Sequence, residues 1–407
     1  MNQHFALSPD LSIHFQPHGA VLVDRYSMVY YRLSGRGAQL AFLLAKHHDI
    51  QKTAQIWRLT TKEEIDADQL KKELSEHPFT VTWTEGFFNR PLMITGSIQS
   101  YLPLSCTLQL TNACNLNCSF CYASSGKPYP NELSTSQWLE VMQKLAAHGV
   151  SDITLTGGEA KLIKGFKEVM TAASCFFNNV TLFSNGLNWK IDEVELLSHL
   201  GNVSVQVSID GLPKTHDQLR GRNDSFNETM KNVKRLTQST VPVMIAMTVN
   251  PQNAHQVYDV IQACAEANVS IFRVGKTLAL GRATDDKSAL PKEMENAIKQ
   301  QLKDAIHKWG DQMVIVDWEE ENKTKFNDFC TPGFLSWYIR ADGCVTPCQI
   351  EDTTIGHILN DSLLKIGDPK NLWQAKCNAK QCKCIKKIEF SEPDLPFGLN
   401  QTNGVTI

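Results

Sequence analysis

A chain of 407 residues is long for a single core, so two or three domains are expected, and a hydrophobic content of 42% is ample for globular folding. The formal net charge is -3 and no basic block stands out, which sets nucleic acid aside as a main partner. No apolar run reaches the roughly 18 residues of a membrane span, and the N-terminus lacks a charged-then-apolar signal pattern, so a cytoplasmic location without membrane association is expected.

Residues 1–95 read as a separate module. Short strands run from Ile13 to Leu33, broken by turns at Pro17-His18-Gly19 and at Asp24-Arg25. A buried helix follows over 37–45, and 53–76 offers two more, with Ala54, Trp57, Ile65, Leu70 and Leu74 as apolar positions. A sheet followed by three helices is a winged-helix shape, which raises DNA binding. The module carries ten Lys and Arg against ten Asp and Glu, however, and a neutral surface is poorly suited to phosphates.

Residues 96–313 repeat one pattern six times. Strands are expected at Cys106–Leu110, Asp152–Thr156, Val180–Ser184, Val203–Ile209, Pro242–Val249 and Ser270–Val274, each with a helical stretch behind it. In the first helix, Ser134 or Thr135 is the cap, Trp138, Val141, Met142 and Leu145 form the apolar stripe, and Gly149 is the stop. Strands alternating with helices imply a parallel α/β sheet, here a (β/α)6 partial TIM barrel. Such a barrel works at the carboxyl ends of its strands, where the polar and glycine-rich residues fall: the 114–121 cysteines, Gly157-Gly158-Glu159, Asn185, Ser208 to Asp210 with Arg220, Asn250 and Lys276.

Behind the first strand, Cys114, Cys118 and Cys121 stand in a C-x3-C-x2-C run followed by Tyr122. Three thiolates are too few for a closed tetrahedral zinc site, but they can hold three irons of a cubane cluster and leave the fourth open. A zinc knuckle with a distant fourth ligand is the competing reading. Twelve cysteines in a reducing compartment are better explained by metal ligation than by disulfides, and nine of them fall into two groups. Cys106, Cys175 and Cys264 lie outside those groups and are expected to be small buried hydrophobes.

The segment 314–407 changes character. Cys330 precedes an expected hairpin, Leu335 to Arg340 and a turn at 341–343, whose return strand carries Cys344 and Cys348; Cys377, Cys382 and Cys384 follow. Cys344 is set aside as a ligand because side chains alternate along a strand. A structural zinc is the alternative for this set.

The three-cysteine run with its trailing aromatic residue resembles the motif of the radical S-adenosylmethionine (SAM) enzymes, which share the partial barrel. The resemblance implies a 4Fe–4S cluster on Cys114, Cys118 and Cys121 whose open iron binds the amino and carboxylate groups of S-adenosylmethionine, and a 5'-deoxyadenosyl radical that abstracts hydrogen. It also implies cofactor contacts from Tyr122, Gly157, Gly158, Glu159, Asn185 and Ser208, and Arg220 suits the cofactor carboxylate through its two-donor fork. The glycines are expected to let the backbone approach the ligand; Ala160-Lys161 follows where many relatives have proline.

Within that family the chain resembles the ribosomal-peptide maturases that form sactionine thioethers, joining a cysteine sulfur to the α-carbon of a methionine. That resemblance implies a leader peptide of the precursor added as an extra strand to the N-terminal module. It implies one auxiliary iron–sulfur cluster, 4Fe–4S or 2Fe–2S, among Cys330, Cys348, Cys377, Cys382 and Cys384, and an electron donor such as flavodoxin or ferredoxin. Epimerisation or a carbon–carbon crosslink would use the same barrel, and a zinc-bound peptide- or DNA-binding scaffold is the competitor from another class.

Overall fold

The computed structural model describes residues 4–7, 11–17, 19–24, 30–33, 35–47, 49–64, 66–75, 80–83, 93–284, 289–318 and 332–378. Contacts divide them into two units, one of residues up to 104 with 363–373, the other of 105–362 with 374–378.

In the first unit the strands are β1 (His4–Leu7), β2 (Leu11–Gln16), β3 (Gly19–Asp24), β4 (Tyr30–Leu33), β5 (Thr80–Trp83) and β6 (Met93–Gly96), and the helices α1 (Gly35–His47), α2 (Ile50–Thr61) and α3 (Ala67–Ser75). The β2–β3 hairpin turns at the expected 17–19 and pairs Ser12 with Val23 and Gln16 with Gly19. It is the centre of a four-stranded sheet in the order β4-β3-β2-β6, while β1 and β5 pair separately. Leu11, Ile13, Phe15 and Leu22 meet Ala38, Ala41 and Leu44 of α1, and Leu40, Trp57 and Leu70 join the three helices. Asp49 caps α2 by accepting from the Gln51 and Lys52 N–H groups at 2.8 and 3.1 Å. Ile65 and the side chain of Leu74, expected in this core, lie outside the described set.

The second unit begins with β7 (Ser105–Gln109) and continues α4 (Thr135–Ala147), β8 (Asp152–Thr156), α5 (Phe166–Phe176), β9 (Asn179–Ser184), α6 (Ile191–Leu200), β10 (Val203–Ser208), α7 (Pro213–Arg220), α8 (Ser225–Gln238), β11 (Val243–Val249), α9 (Val257–Ala265), β12 (Ile271–Lys276) and α10 (Lys292–Trp309). The six strands β7 to β12 lie parallel in sequential order, each step crossing by at least one helix, which is the (β/α)6 arrangement expected. Ser134 caps α4 in a reciprocal box with Gln137, and Trp138, Val141, Met142 and Leu145 are its buried stripe. Along β11, Val243, Ile245, Met247 and Val249 are buried, while the alternate residues Met244, Ala246 and Thr248 are half-buried on the other face.

The sheet does not stop at six strands. β13 (Val314–Val316) adds parallel to β12, and β14 (Ser336–Ile339) adds parallel to β7, pairing Tyr338 with Thr107. The expected hairpin then follows as β15 (Cys344–Thr346), with β16 (Gly356–His357) beyond it, completing ten strands. The chain after 313 thus extends the barrel sheet at both edges. Last come α11 (Leu363–Ile366) and α12 (Pro369–Asn378). α11 and the residue after it belong to the first unit, where the Ser100 hydroxyl donates to Leu364 O at 2.8 Å and Tyr101 N to Gly367 O at 2.8 Å.

Candidate active site

The cysteine loop leaves the end of β7 and is closed at its base by backbone bonds, Cys114 N to Gly126 O at 2.9 Å and Gly126 N to Asn112 O at 3.0 Å. The Glu132 carboxylate gathers the entry, accepting from Thr111 Oγ1 at 2.7 Å, Asn112 N at 2.6 Å and Tyr129 N at 2.9 Å. Cys118 is buried with Leu116 and Leu187, and half-buried Cys114, Phe120 and Cys121 pack against that patch. Burial pushes the Cys114 thiol up to about 11 and raises that of Cys118, against the lowering pull of Arg220. Both shifts favour the protonated thiol at neutral pH, so a metal bound there would displace protons. Among the described residues no three His, Cys, Asp or Glu converge on the single point a lone metal ion would occupy; thiols that reach three separate irons need no such point.

Four strand ends hold this loop. After β8, Gly158 N donates to Thr111 O and Glu159 N to Ala113 O, both at 2.8 Å. A Cβ on Gly157 would lie 2.6 Å from Thr111 O, and one on Gly158 2.7 Å from Asn112 O and nearer still to Ala113 O. The glycines therefore admit the chain's own cysteine loop. Glu159 is fully buried and spent on neighbours: Ser184 Oγ donates at 3.0 Å and Asn185 N at 2.7 Å. Burial raises its carboxyl above the usual carboxylate range, an effect those bonds offset only in part. Ala160 is buried in a short turn, and Lys161 reaches Glu193 at 2.7 Å and Asn188 O at 2.9 Å beneath the Trp189 ring, which gives the departure from proline a defined shape.

After β9, the Asn185 amide donates to Asn115 Oδ1 at 2.7 Å inside the cysteine loop. After β10, the end of α7 receives the loop, with Asn117 N bonded to Arg220 O at 3.3 Å and Ser119 N to Leu219 O at 3.0 Å. The fourth support escaped the sequence reading. Behind β12, Arg282 donates from Nε to Cys118 O at 2.7 Å and from Nη1 to Ser125 O at 2.8 Å, and its N–H bonds Cys121 O at 3.0 Å. Gly281, at φ +58, lies so close that a Cβ there would be 2.6 Å from Tyr122 C. A Gly-Arg pair beyond the last strand carries no local pattern, so no sequence signal distinguished it.

Arg220 is buried, ion-paired through Nη2 with Asp210, and within 3.7 Å of Cys118 Sγ through Nη1; its Nε has no partner among the described residues. Half-buried Ser208 stands at the end of β10. Lys276, expected at the same mouth, instead pairs with Glu295 at 2.5 Å and covers the Trp318 ring. Asn250 works within its own turn, accepting from Gln252 N at 2.8 Å. Beside the cysteine loop opens a cavity of about 560 Å³ lined by Tyr122, Tyr129, Tyr338, Arg340, Glu351 and Asp352 among others. Burial pushes the Tyr122 phenol up to about 12, and it is hydrogen-bonded to Tyr338. Glu351 is nine-tenths buried, and its Oε2 has no hydrogen-bond partner among the described residues.

Of the C-terminal cysteines, Cys344 and Cys348 are half-buried around the end of β15, and Cys377 lies on α12. Cys330, Cys382 and Cys384 lie outside the described residues. Cys106 and Cys264 are buried as expected, but Cys175 is exposed. The buried face of α5 is Phe166, Val169, Met170 and Ala173, and a residue two beyond Ala173 turns about 200° away from it.

A loop of three thiols in an apolar patch, a guanidinium beside one sulfur, and an unpartnered buried Nε donor fit a 4Fe–4S cluster and a carboxylate-bearing ligand. Residues 108–264 match the Radical SAM superfamily. The sporulation killing factor maturation protein SkfB of Bacillus subtilis is 64% identical over 96% of this chain and 95% of its own. The subtilosin biosynthesis protein AlbA of the same organism is 28% identical over 73% of this chain and 67% of its own. The chain belongs to the radical SAM superfamily and, within it, to the family of the sporulation killing factor maturation protein. Family membership brings with it a 4Fe–4S cluster and S-adenosylmethionine as cofactors. Among solved structures, Streptococcus suis SuiB bound to precursor peptide SuiA superposes with a TM-score of 0.69 at 15% identity, over 95% of this chain and 94% of that one, which establishes the shared fold.

Proposed function

We propose that the chain is a sactisynthase: it matures a ribosomally made precursor of the sporulation-killing-factor type by joining a cysteine sulfur to the α-carbon of a methionine. The observation that carries this reading is the 64% identity to SkfB running through 95% of that protein, cysteine loop included. Cys114, Cys118 and Cys121 would hold the first cluster, with Tyr122, Gly157, Gly158, Asn185, Ser208 and the free Nε of Arg220 around S-adenosylmethionine. When bound, that pair supplies a radical able to abstract hydrogen from an unactivated carbon. Glu159 acts one step back, by holding the Asn185 loop against the cysteine loop. The tyrosine-walled cavity next to Tyr122 is the space in which a peptide segment can be held and water excluded.

The four-stranded sheet ends in β4 and β6, and an edge strand is what a leader peptide needs for strand addition. SuiB's structure with a precursor peptide supports a peptide substrate. One auxiliary cluster held from among Cys330, Cys348, Cys377, Cys382 and Cys384, an electron donor such as flavodoxin or ferredoxin, and a cytoplasmic site of action complete the reading. Among the described residues no helix is long and apolar enough to cross a membrane.

The test is mass spectrometry of the precursor peptide after incubation with reconstituted enzyme, S-adenosylmethionine and reductant. A thioether removes two hydrogens and one free thiol. A product of unchanged mass points to epimerisation, and loss of two hydrogens with every thiol still alkylatable points to a carbon–carbon crosslink; either refutes the sactisynthase reading.

A further inference from the structure

Two buried charges stand directly behind the thiol at the centre of the cysteine loop. Asp210 is wholly buried at the end of β10: its Oδ1 accepts from Thr248 N at 2.8 Å, its carbonyl from Asn253 Nδ2 at 2.9 Å, and its N–H donates to His216 Nδ1 at 3.1 Å. Every polar group around Asp210 thus fixes its place, and its Oδ2 meets Arg220 Nη2. Arg220, on the last turn of α7, lies with its Cζ 5.5 Å from the Phe120 ring centre and turns Nη1 to Cys118 Sγ at 3.7 Å. Burial drives His216 down to about 3, so it adds no charge to the pair at neutral pH.

A buried ion pair is a weak contributor to stability, because desolvation offsets much of the attraction. Such a pair aimed at a metal ligand has a different use. Hydrogen bonds to cluster sulfurs and nearby net charge set the reduction potential of an iron–sulfur centre. We propose that Arg220, held by Asp210, is a positioning residue that tunes the reduction potential of the first cluster through Cys118 Sγ. The inference rests on the reading of Cys114, Cys118 and Cys121 as cluster ligands and is independent of the peptide product.

The geometry requires opposite signs from the two partners. Removing the guanidinium takes a positive charge and a donor from the sulfur, favouring the oxidised cluster. Removing the carboxylate leaves the positive charge unbalanced, favouring the reduced one. A merely structural pair would behave otherwise, since opening the site to water acts on both variants in the same direction.

The experiment is a mediator titration followed by electron paramagnetic resonance, on reconstituted full-length enzyme without S-adenosylmethionine or peptide. To keep the first cluster alone in view, it is run in a Cys382→Ala, Cys384→Ala background. The expected result is a tenfold change in the one-electron reduction equilibrium, about 59 mV, downward in Arg220→Gln and upward in Asp210→Asn. The potential belongs to the loaded fraction, so incomplete loading does not obscure it. If Arg220→Gln takes up no iron, Arg220→Lys is read in its place and is expected below wild type, having lost the forked donor. Unchanged potentials, or shifts of the same sign in the arginine and aspartate variants, overturn the proposal. A wild type without the iron–sulfur signal would instead refute the cluster reading beneath it.

Discussion

Arg282 is the residue whose loss tests most directly how the cysteine loop is held. Its side chain makes two guanidinium bonds to backbone carbonyls of the loop, Cys118 O at 2.7 Å and Ser125 O at 2.8 Å. A hydrogen bond from a charged donor contributes about 1.5 to 3 kcal/mol net, and because Arg282 is half-buried the lower figure applies to each. Arg282→Ala therefore removes about 3 kcal/mol from the closed loop, which raises its open population about a hundredfold. Amide exchange should read this locally: the Cys114 and Gly126 N–H groups, which close the base of the loop, exchange about a hundredfold faster, while those of β10 and β11 do not change. Iron per chain after anaerobic reconstitution falls in parallel, and Arg282→Lys, able to keep one of the two bonds, is intermediate. Unaltered exchange across 113–126 in a folded Arg282→Ala protein would refute the reasoning.

Gly158→Ala should destabilise the enzyme by about 1 to 3 kcal/mol through overpacking against the backbone of 112–113, seen as a lower thermal midpoint together with lower iron uptake; a variant with full iron and the wild-type midpoint contradicts it. His14 gives a pH dependence to the first unit. Its Nε2–H donates to Leu102 O at 2.8 Å, its Nδ1 is 2.9 Å from Thr95 Oγ1, and burial holds it down at about 4 against 6.5 unfolded. Because the unfolded chain takes up the proton first, this stability is whole above 6.5, falls as the pH drops towards 4, and amounts to about 3 kcal/mol. Denaturant unfolding of wild type and His14→Asn at pH 7 and pH 4.5 should show the gap between them narrowing in acid, and a constant gap counts against the assignment. Finally, Cys382→Ala should still release 5'-deoxyadenosine while forming no thioether; full thioether yield from a variant lacking the second cluster would remove the auxiliary site from the mechanism.

The sequence by itself determined the repeating part of this protein. Period-two and helical apolar patterns are local, so the six strands, the capped α4 and the β14–β15 hairpin were legible with ends shifted by a residue or two, and the spacing of Cys114, Cys118 and Cys121 was legible because all three thiols lie on one loop. Only the tertiary structure decided what each polar residue at the strand ends is for. Gly157 and Gly158 mark a close approach, and the protein atoms they admit are the carbonyls of 111–113, some 45 residues away in the chain. Arg220 is bound to Asp210 and set beside Cys118, and Lys276 pairs with Glu295, contacts that no local pattern announces. Arg282 had no signature because its partners are main-chain carbonyls, which every sequence supplies. The joining of β13 and β14 to opposite edges of the barrel sheet was equally hidden, since backbone pairing between distant strands leaves no mark on side-chain pattern. Local periodicity encodes which elements form; which groups meet at their ends is settled by long-range packing, where one buried charge or one missing Cβ decides the contact.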